Sequence, residues 1–225
     1  MSVNLTYPFD SAYISKKQRS IKKELLCDGT KRIEKKIAVL GGSTTNAIVD
    51  LLDLFLLNYG IKAEFYQSEY AQYFQDAMFS EELDAFNPDF IFIHTTSRNI
   101  TAFPSMSMKK EETDELLSSQ LSHFTVMWDK LFERFSCPII QNNFELPFFR
   151  LMGNKDTSDY RGRVNFVTRL NSAFYDYAQT HENFYIHDIN YLSACYGLQK
   201  WADVQHWNMY KYALAVPAIP EFSYN

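Results

Sequence analysis

Apolar positions follow two alternating rhythms along this chain. Short solid runs read as strands: "KIAVL" (36–40), "KAEFYQ" (62–67), "DFIFIH" (89–94), "CPIIQNN" (137–143) and "NFYIHDIN" (183–190). Between them lie longer stretches in which apolar residues recur every three or four positions. "NAIVDLLDLFLLNYG" (46–60) reads as a helix stopped by Gly60, and "KEETDELLSSQLSHFTVMWDKLFERFS" (110–136) and "RVNFVTRLNSAFYDYAQTH" (163–181) read as two more. Strand and helix in alternation predict an α/β fold: a three-layer α/β/α sandwich around a parallel five-stranded sheet, flavodoxin-like in layout. Such sheets bind ligands outside the carboxyl ends of their strands. Here those ends carry Gly41–Thr45, Gln67–Tyr70, His94–Asn99, Gln141–Asn143 and His187–Asn190.

The chain has 225 residues, which suits one medium domain. Residues 1–35 read as a helical lead-in and 36–225 as the α/β domain. The lead-in and first strand hold nine lysines and arginines between 16 and 36, expected as a solvated face or, less simply, as a docking surface for an acidic carrier. A net charge of −5 argues against a general nucleic-acid binder. Asp50, Asp53 and Asn58 interrupt the longest apolar stretch, so no membrane span is expected, and "MSVNLTYPFD" has no signal pattern. Cys27, Cys137 and Cys195 are far apart and odd in number, which fits a reduced, cytoplasmic protein.

The chemistry begins where the first strand ends, in "GGSTTNAIVD". The glycines are adjacent and no lysine follows, so neither a phosphate loop nor a dinucleotide fingerprint is present, and no cofactor is expected. Two readings remain for the hydroxyls. One of Ser43, Thr44 and Thr45 caps the helix, or Ser43 presents a nucleophile at a helix N-terminus that can also stabilise an oxyanion. A nucleophilic serine needs a histidine and a carboxylate, and Asp203-x-x-His206 supplies both within one turn. Asn99 and Arg98, in the loop after the third strand, offer polar groups to an oxyanion or substrate, or Thr95–Asn99 form a polar loop whose side chains satisfy backbone groups. His94 and His187 end strands and suit either site or core; His123 and His181 lie on helices. The histidines show no HxxxH or Cys/His spacing, so no metal is expected.

These blocks, in this order, resemble the SGNH (GDSL-like) hydrolase fold. More narrowly, "YPFDSAYISKKQRSIKKELL", "IAVLGGSTTNAIVDLLDLFLLNYGIKAEFYQSEYAQYFQD", "NPDFIFIHTTSRNI" and "DINYLSACYGLQKWADVQHW" resemble the N-terminal domain of FkbH-like proteins over nearly the whole chain. The resemblance implies a serine esterase or acyltransferase of polysaccharide or secondary-metabolite biosynthesis. Its substrate would be an acyl ester, carbohydrate-linked or carrier-bound. Ser43 would be the nucleophile, His206 the base, Asp203 its orienter, and Asn99 an oxyanion donor with the Ser43 amide. Gly42, Arg98 and Ala71 would line the site. The departures are "GGS" for "GDS", "TSRN" for "GxND", and a second block, "SEYAQY", with Ala71 near the place of its glycine. The resemblance also implies an acyl carrier protein or a HAD-type phosphatase domain as partner. The other implied role is a catalytically silent domain that positions them. The tail "WNMYKYALAVPAIPEF" is expected either to bury Trp207, Tyr210, Tyr212 and Leu214 within the domain or to fold back over the sheet and leave an apolar patch where a HAD-type domain or a second copy docks.

Overall fold

The computed structural model describes residues 4–225. Helix α1 (Ser11–Cys27) precedes strand β1 (Ile33–Gly41), followed by α2 (Asn46–Asn58), β2 (Ile61–Gln67), α3 (Tyr73–Phe79), α4 (Glu81–Phe86) and β3 (Phe90–His94). Then come α5 (Lys110–Arg134), β4 (Ile139–Asn142), α6 (Arg163–Thr180), β5 (Phe184–His187), α7 (Ile189–Tyr196), α8 (Leu198–Trp201), α9 (Val204–Tyr210) and α10 (Ile219–Tyr224). All five strands pair in parallel, in the order β2-β1-β3-β4-β5. This is the flavodoxin-like order, with its reversal point between β1 and β3.

Alternation along each strand sends residues to two cores. Ala38, Leu40, Ile91, Ile93 and Ile139 face α5 and α6, where Phe124, Met127, Trp128, Leu131, Phe166 and Phe174 are buried. Ile37, Val39 and Phe92 face α1, α2 and α10, meeting Ile14, Ile21, Leu51, Leu54 and Phe222. Burial on both faces is what the solid apolar runs of β1 and β3 require. One polar thread crosses the first core and is fully paired: Trp128 Nε1 donates to Gln141 Oε1 at 3.0 Å, and Gln141 Nε2 donates to Thr95 Oγ1 at 2.8 Å. It ties the long helix to the loop after β3.

Two features go beyond the sequence reading, and the tail behaves as one of its two readings expects. β1 begins at Ile33, three residues earlier than its apolar run, because its first turn pairs with Ile61–Ala63 of β2 at the sheet edge. Helices α3 and α4 occupy a stretch with no readable periodicity. The tail does fold back: α10 lays Phe222 against Phe92, His94 and His187, at ring separations of 6.1, 5.0 and 4.7 Å. Beside it an apolar groove of about 400 Å³ remains open over β3–β5, walled by Phe90, Phe92, Ile140, Tyr185 and Phe222. Of the tail residues, Leu214 is buried, Trp207 and Tyr212 are half-buried, and Tyr210 is exposed. Among the described residues no helix is long and apolar enough to cross a membrane.

Candidate active site

The chain leaves the sheet abruptly after β1. Gly41 N–H donates to Ser68 Oγ at 2.7 Å and Gly42 N–H to the His94 carbonyl at 2.8 Å, so the turn is anchored to both neighbouring strands. Asn99 closes it from the other side. Its Nδ2 donates to the Gly42 carbonyl at 3.0 Å, while its Oδ1 accepts from Thr96 N–H at 3.0 Å. The amide lies so close that a Cβ on Gly42 would fall 2.6 Å from Asn99 Cγ and Oδ1, and nearer still to Nδ2. That approach is why residue 42 is glycine.

The three hydroxyls that follow have separate fates. Thr45 is the N-cap residue of α2, but its side chain makes no capping bond; its Oγ1 accepts from Gln67 Nε2 at 2.7 Å. Thr44 Oγ1 donates to the Tyr210 carbonyl at 2.8 Å, and Thr44 N–H donates to the Lys211 carbonyl at 3.1 Å. Ser43 is 3% exposed, and its Oγ is shut from solvent with no hydrogen-bond partner. No hydroxyl caps the helix, so the capping alternative is set aside. With the Gly41, Gly42 and Thr44 amides engaged, the Ser43 and Thr45 N–H groups of this turn are left without a partner among the described residues.

Helix α9 carries the acid and the base. Asp203 is its N-cap: Oδ1 accepts from Gln205 N–H at 2.7 Å and from His206 N–H at 3.2 Å. Those two donors hold the carboxyl below its ordinary value, with the nearby imidazole a lesser cause. Asp203 Oδ2 lies 3.8 Å from His206 Nδ1, in ion-pair range but too long for a hydrogen bond, and Nδ1 has no other partner. Arg98 reaches across from the third block and stacks its guanidinium 4.3 Å above the Trp207 ring. Ser43, Asn99, Arg98 and the Asp203–His206 turn are therefore linked, through Gly42, Thr44 and Trp207. No hydrogen bond joins Ser43 Oγ to His206 in this conformation.

Ala71 is exposed and holds φ 60°, the left-handed region that favours glycine, so the second block keeps a glycine-like backbone without the glycine. Sequence reasoning passed over Glu145. It is buried, accepts from Ser97 Oγ at 2.7 Å and from Ser97 N–H, and underpins the Ser97–Asn99 turn; burial pushes its pKa up. Nothing in "NNFELP" marks it. His94 is buried in the core, and His187 is half-buried at the wall of the apolar groove. His94, Asn142 and His187 sit side by side on β3, β4 and β5, with Asn142 Nδ2 2.7 Å from His94 Nδ1 and its Oδ1 3.0 Å from His187 Nδ1. Burial lowers their pKa values to about 3 and about 4, so both rings are neutral near pH 7. His123 stacks on Phe74, and His181 on Tyr177. Among the described residues no three His, Cys, Asp or Glu side chains group so as to hold a metal ion.

The family model described as "FkbH, N-terminal domain" matches residues 36–225. The chain belongs to that family. This FkbH N-terminal domain is similar in fold to the N-terminal part of the protein BF1531 from Bacteroides fragilis, a structure described as containing a phosphatase domain complexed with Mg. The TM-score is 0.78 at 21% identity, over 93% of this chain and 54% of that one. The chain thus spans about half the length of that relative. Weaker likenesses are to the C-terminal catalytic domain of Streptococcus pneumoniae peptidoglycan O-acetyltransferase A with a methylsulfonyl adduct (TM-score 0.44, 12% identity, 87% of this chain and 90% of that one) and to BT4096, a gut microbial diltiazem-metabolizing enzyme (0.49, 12%, 82% and 43%). A search of curated proteins gave no match.

Proposed function

We propose that this FkbH N-terminal domain is an SGNH-type serine esterase or acyltransferase. One observation carries the reading. Of the three hydroxyls after β1, two are spent on structure, and only Ser43 Oγ is left unpaired, beside an unused amide. A buried hydroxyl without a partner costs about 1–3 kcal/mol, and such costs concentrate at functional sites. Ser43 Oγ attacks the acyl carbonyl as His206 accepts its proton. Asp203, already anionic, stabilises the imidazolium that forms. The oxyanion is met by the Ser43 N–H and the second hydrogen of Asn99 Nδ2, whose first goes to Gly42. The tetrahedral intermediate collapses to an acyl ester of Ser43 and expels the substrate's alcohol or thiol, which takes the proton from His206; water, a sugar hydroxyl or a carrier thiol, giving its proton to His206, then takes the acyl group and restores the serine. Since Ser43 Oγ is buried and unbonded to His206 in this conformation, this reading requires a rearrangement that opens the serine and brings the imidazole to it.

A fluorophosphonate serine probe tests this. Wild type is labelled and Ser43→Ala is not, and His206→Ala slows labelling strongly. Labelling equal in wild type and Ser43→Ala, or absent in both, refutes a catalytic serine. It favours the second reading, supported by the missing Ser43–His206 hydrogen bond: a silent domain that positions an acyl carrier protein or a HAD-type phosphatase domain.

A further inference from the structure

Residues 202–214 form a strap that is pinned at both ends and carries Asp203 and His206 between them. The ends meet where Ala215 N–H donates to the Trp201 carbonyl at 2.8 Å. The anchors are sunk in the core: Trp201, Ala213, Leu214 and Ala215 are all buried. The middle of the strap packs poorly by comparison. Each of the seven residues of α9 is exposed or half-buried, and Val204, Met209 and Tyr210 leave apolar side chains in solvent. The helix ends at Lys211 in the left-handed region, φ 59°, which a residue with a Cβ adopts at a cost. A loop closed at its base in this way is an Ω-loop in form. Segments with few buried apolar groups open locally at far lower cost than global unfolding.

The bonds that hold the strap down start beside the serine. Thr44 Oγ1 donates to the Tyr210 carbonyl at 2.8 Å and Thr44 N–H to the Lys211 carbonyl at 3.1 Å. Both therefore come from the residue after Ser43, and both fall at the C-terminal end of α9. The Arg98 guanidinium rests on Trp207, 4.3 Å from the ring centroid. Ser43 is buried in the same turn.

We propose that residues 202–214 are a lid on the serine turn, hinged where Trp201 meets Ala215 and latched by Thr44, and that Ser43 becomes reachable when the latch lets go. The lid is the moving part that the esterase reading requires, and it rests on that reading for its catalytic meaning alone; the motion itself needs no reacting serine. Asp203 and His206 ride on the lid as one unit, joined by the cap bonds that Asp203 Oδ1 accepts from Gln205 and His206 N–H. Access to the serine is thus controlled by a threonine that takes no part in the chemistry.

Thiol accessibility separates the lid from catalysis. The exposed Cys27 and Cys195 are first changed to serine; Cys137 is buried, its thiol pushed up to about 11 by desolvation, and stays silent. In that background Ser43→Cys is alkylated with iodoacetamide, with Thr44 native, Thr44→Ser or Thr44→Val. Thr44→Val removes the bond to Tyr210 and is expected to speed alkylation about two- to tenfold, the factor for one lost hydrogen bond. Thr44→Ser keeps the hydroxyl and the native rate. Thr44→Ala stands in if Thr44→Val does not fold. Hydrogen exchange read by mass spectrometry on the same proteins shows whether the opening is local. Residues 203–211 should exchange faster in Thr44→Val while β3 and α5 are unchanged. Alkylation no faster in the folded valine or alanine variant, or exchange that rises alike in all segments, overturns the lid. Selective opening together with no fluorophosphonate labelling of the wild type upholds the lid and removes the esterase; labelling without selective opening does the reverse.

Discussion

Replacing Gly42 by alanine tests the interlock between the serine turn and the third block. The new Cβ would lie 2.6 Å from Asn99 Cγ and Oδ1 and closer to Nδ2, well inside van der Waals contact. The amide cannot yield by a small rotation, because both its ends are hydrogen-bonded, to Gly42 O and from Thr96 N–H. Displacing it gives up both bonds, about 0.5–1.5 kcal/mol each, and residual crowding adds about 1–3 kcal/mol. The sum, about 2–6 kcal/mol, is a large share of the ~5–15 kcal/mol that holds a domain folded, and lowers Tm by roughly 4–24 °C. Urea unfolding of four proteins reads it: wild type, Gly42→Ala, Asn99→Ala and the double variant. Asn99→Ala removes every atom that the new methyl would strike. Gly42→Ala should therefore cost under about 1 kcal/mol in that background, a strong coupling. Equal cost of Gly42→Ala in both backgrounds would mean that the glycine is there for another reason.

Ser43→Ala removes an unpaired buried hydroxyl and is expected to be neutral or to stabilise by up to about 1–2 kcal/mol, whereas Thr45→Val, which breaks the bond from Gln67, costs about 1 kcal/mol; a Ser43→Ala that melts well below wild type would show the hydroxyl engaged. Asp203→Asn keeps the helix cap and leaves stability within about 0.5 kcal/mol, while Asp203→Ala loses about 1 kcal/mol, in thermal unfolding; equal losses would deny Asp203 its capping role. His94 and His187 bind protons at about 3 and about 4 when folded, and at 6.5 when unfolded. The unfolded chain holds more protons between those values, so stability falls as pH drops below 6.5, by up to ~1.4 kcal/mol per pH unit for each ring. Glu145, pushed up by burial, works in the opposite sense. Urea midpoints from pH 7 to 5 should fall less steeply in His187→Asn than in wild type, and equal slopes would contradict the assignment.

Strands β1 and β3 were legible as solid apolar runs buried on both faces, whereas the edge strands β2 and β5 are only partly buried and were legible as short apolar-rich runs between helical stretches. Helices α3 and α4 were not, for a physical reason. They are seven and six residues long, and a residue far along the chain holds them: Arg134 donates to the Asp76, Ala77 and Ser80 carbonyls and pairs with Asp84. No local window contains that information. The serine block could be read as nucleophile or cap, and only the partners of Thr44 and Thr45 separated the two. Those partners, Tyr210 and Gln67, lie 166 and 22 residues away. Glu145 left no trace at all, since one carboxylate in a loop says nothing of the Ser97 hydroxyl that it receives.

The bonds from Thr44 to Tyr210 and Lys211 also set a schedule. A chain emerging from the ribosome presents Ser43 early, but the contacts that finish its turn arrive in stages: first the strand and loop ending at Asn99, and last the helix ending at residue 211. Until then the residues before Lys211 hold a serine turn with one side unmade. Contacts of such sequence separation form late in folding. The turn is therefore incomplete until Lys211 has been made, and the Ser43 hydroxyl reaches its final setting only late in the synthesis of this domain.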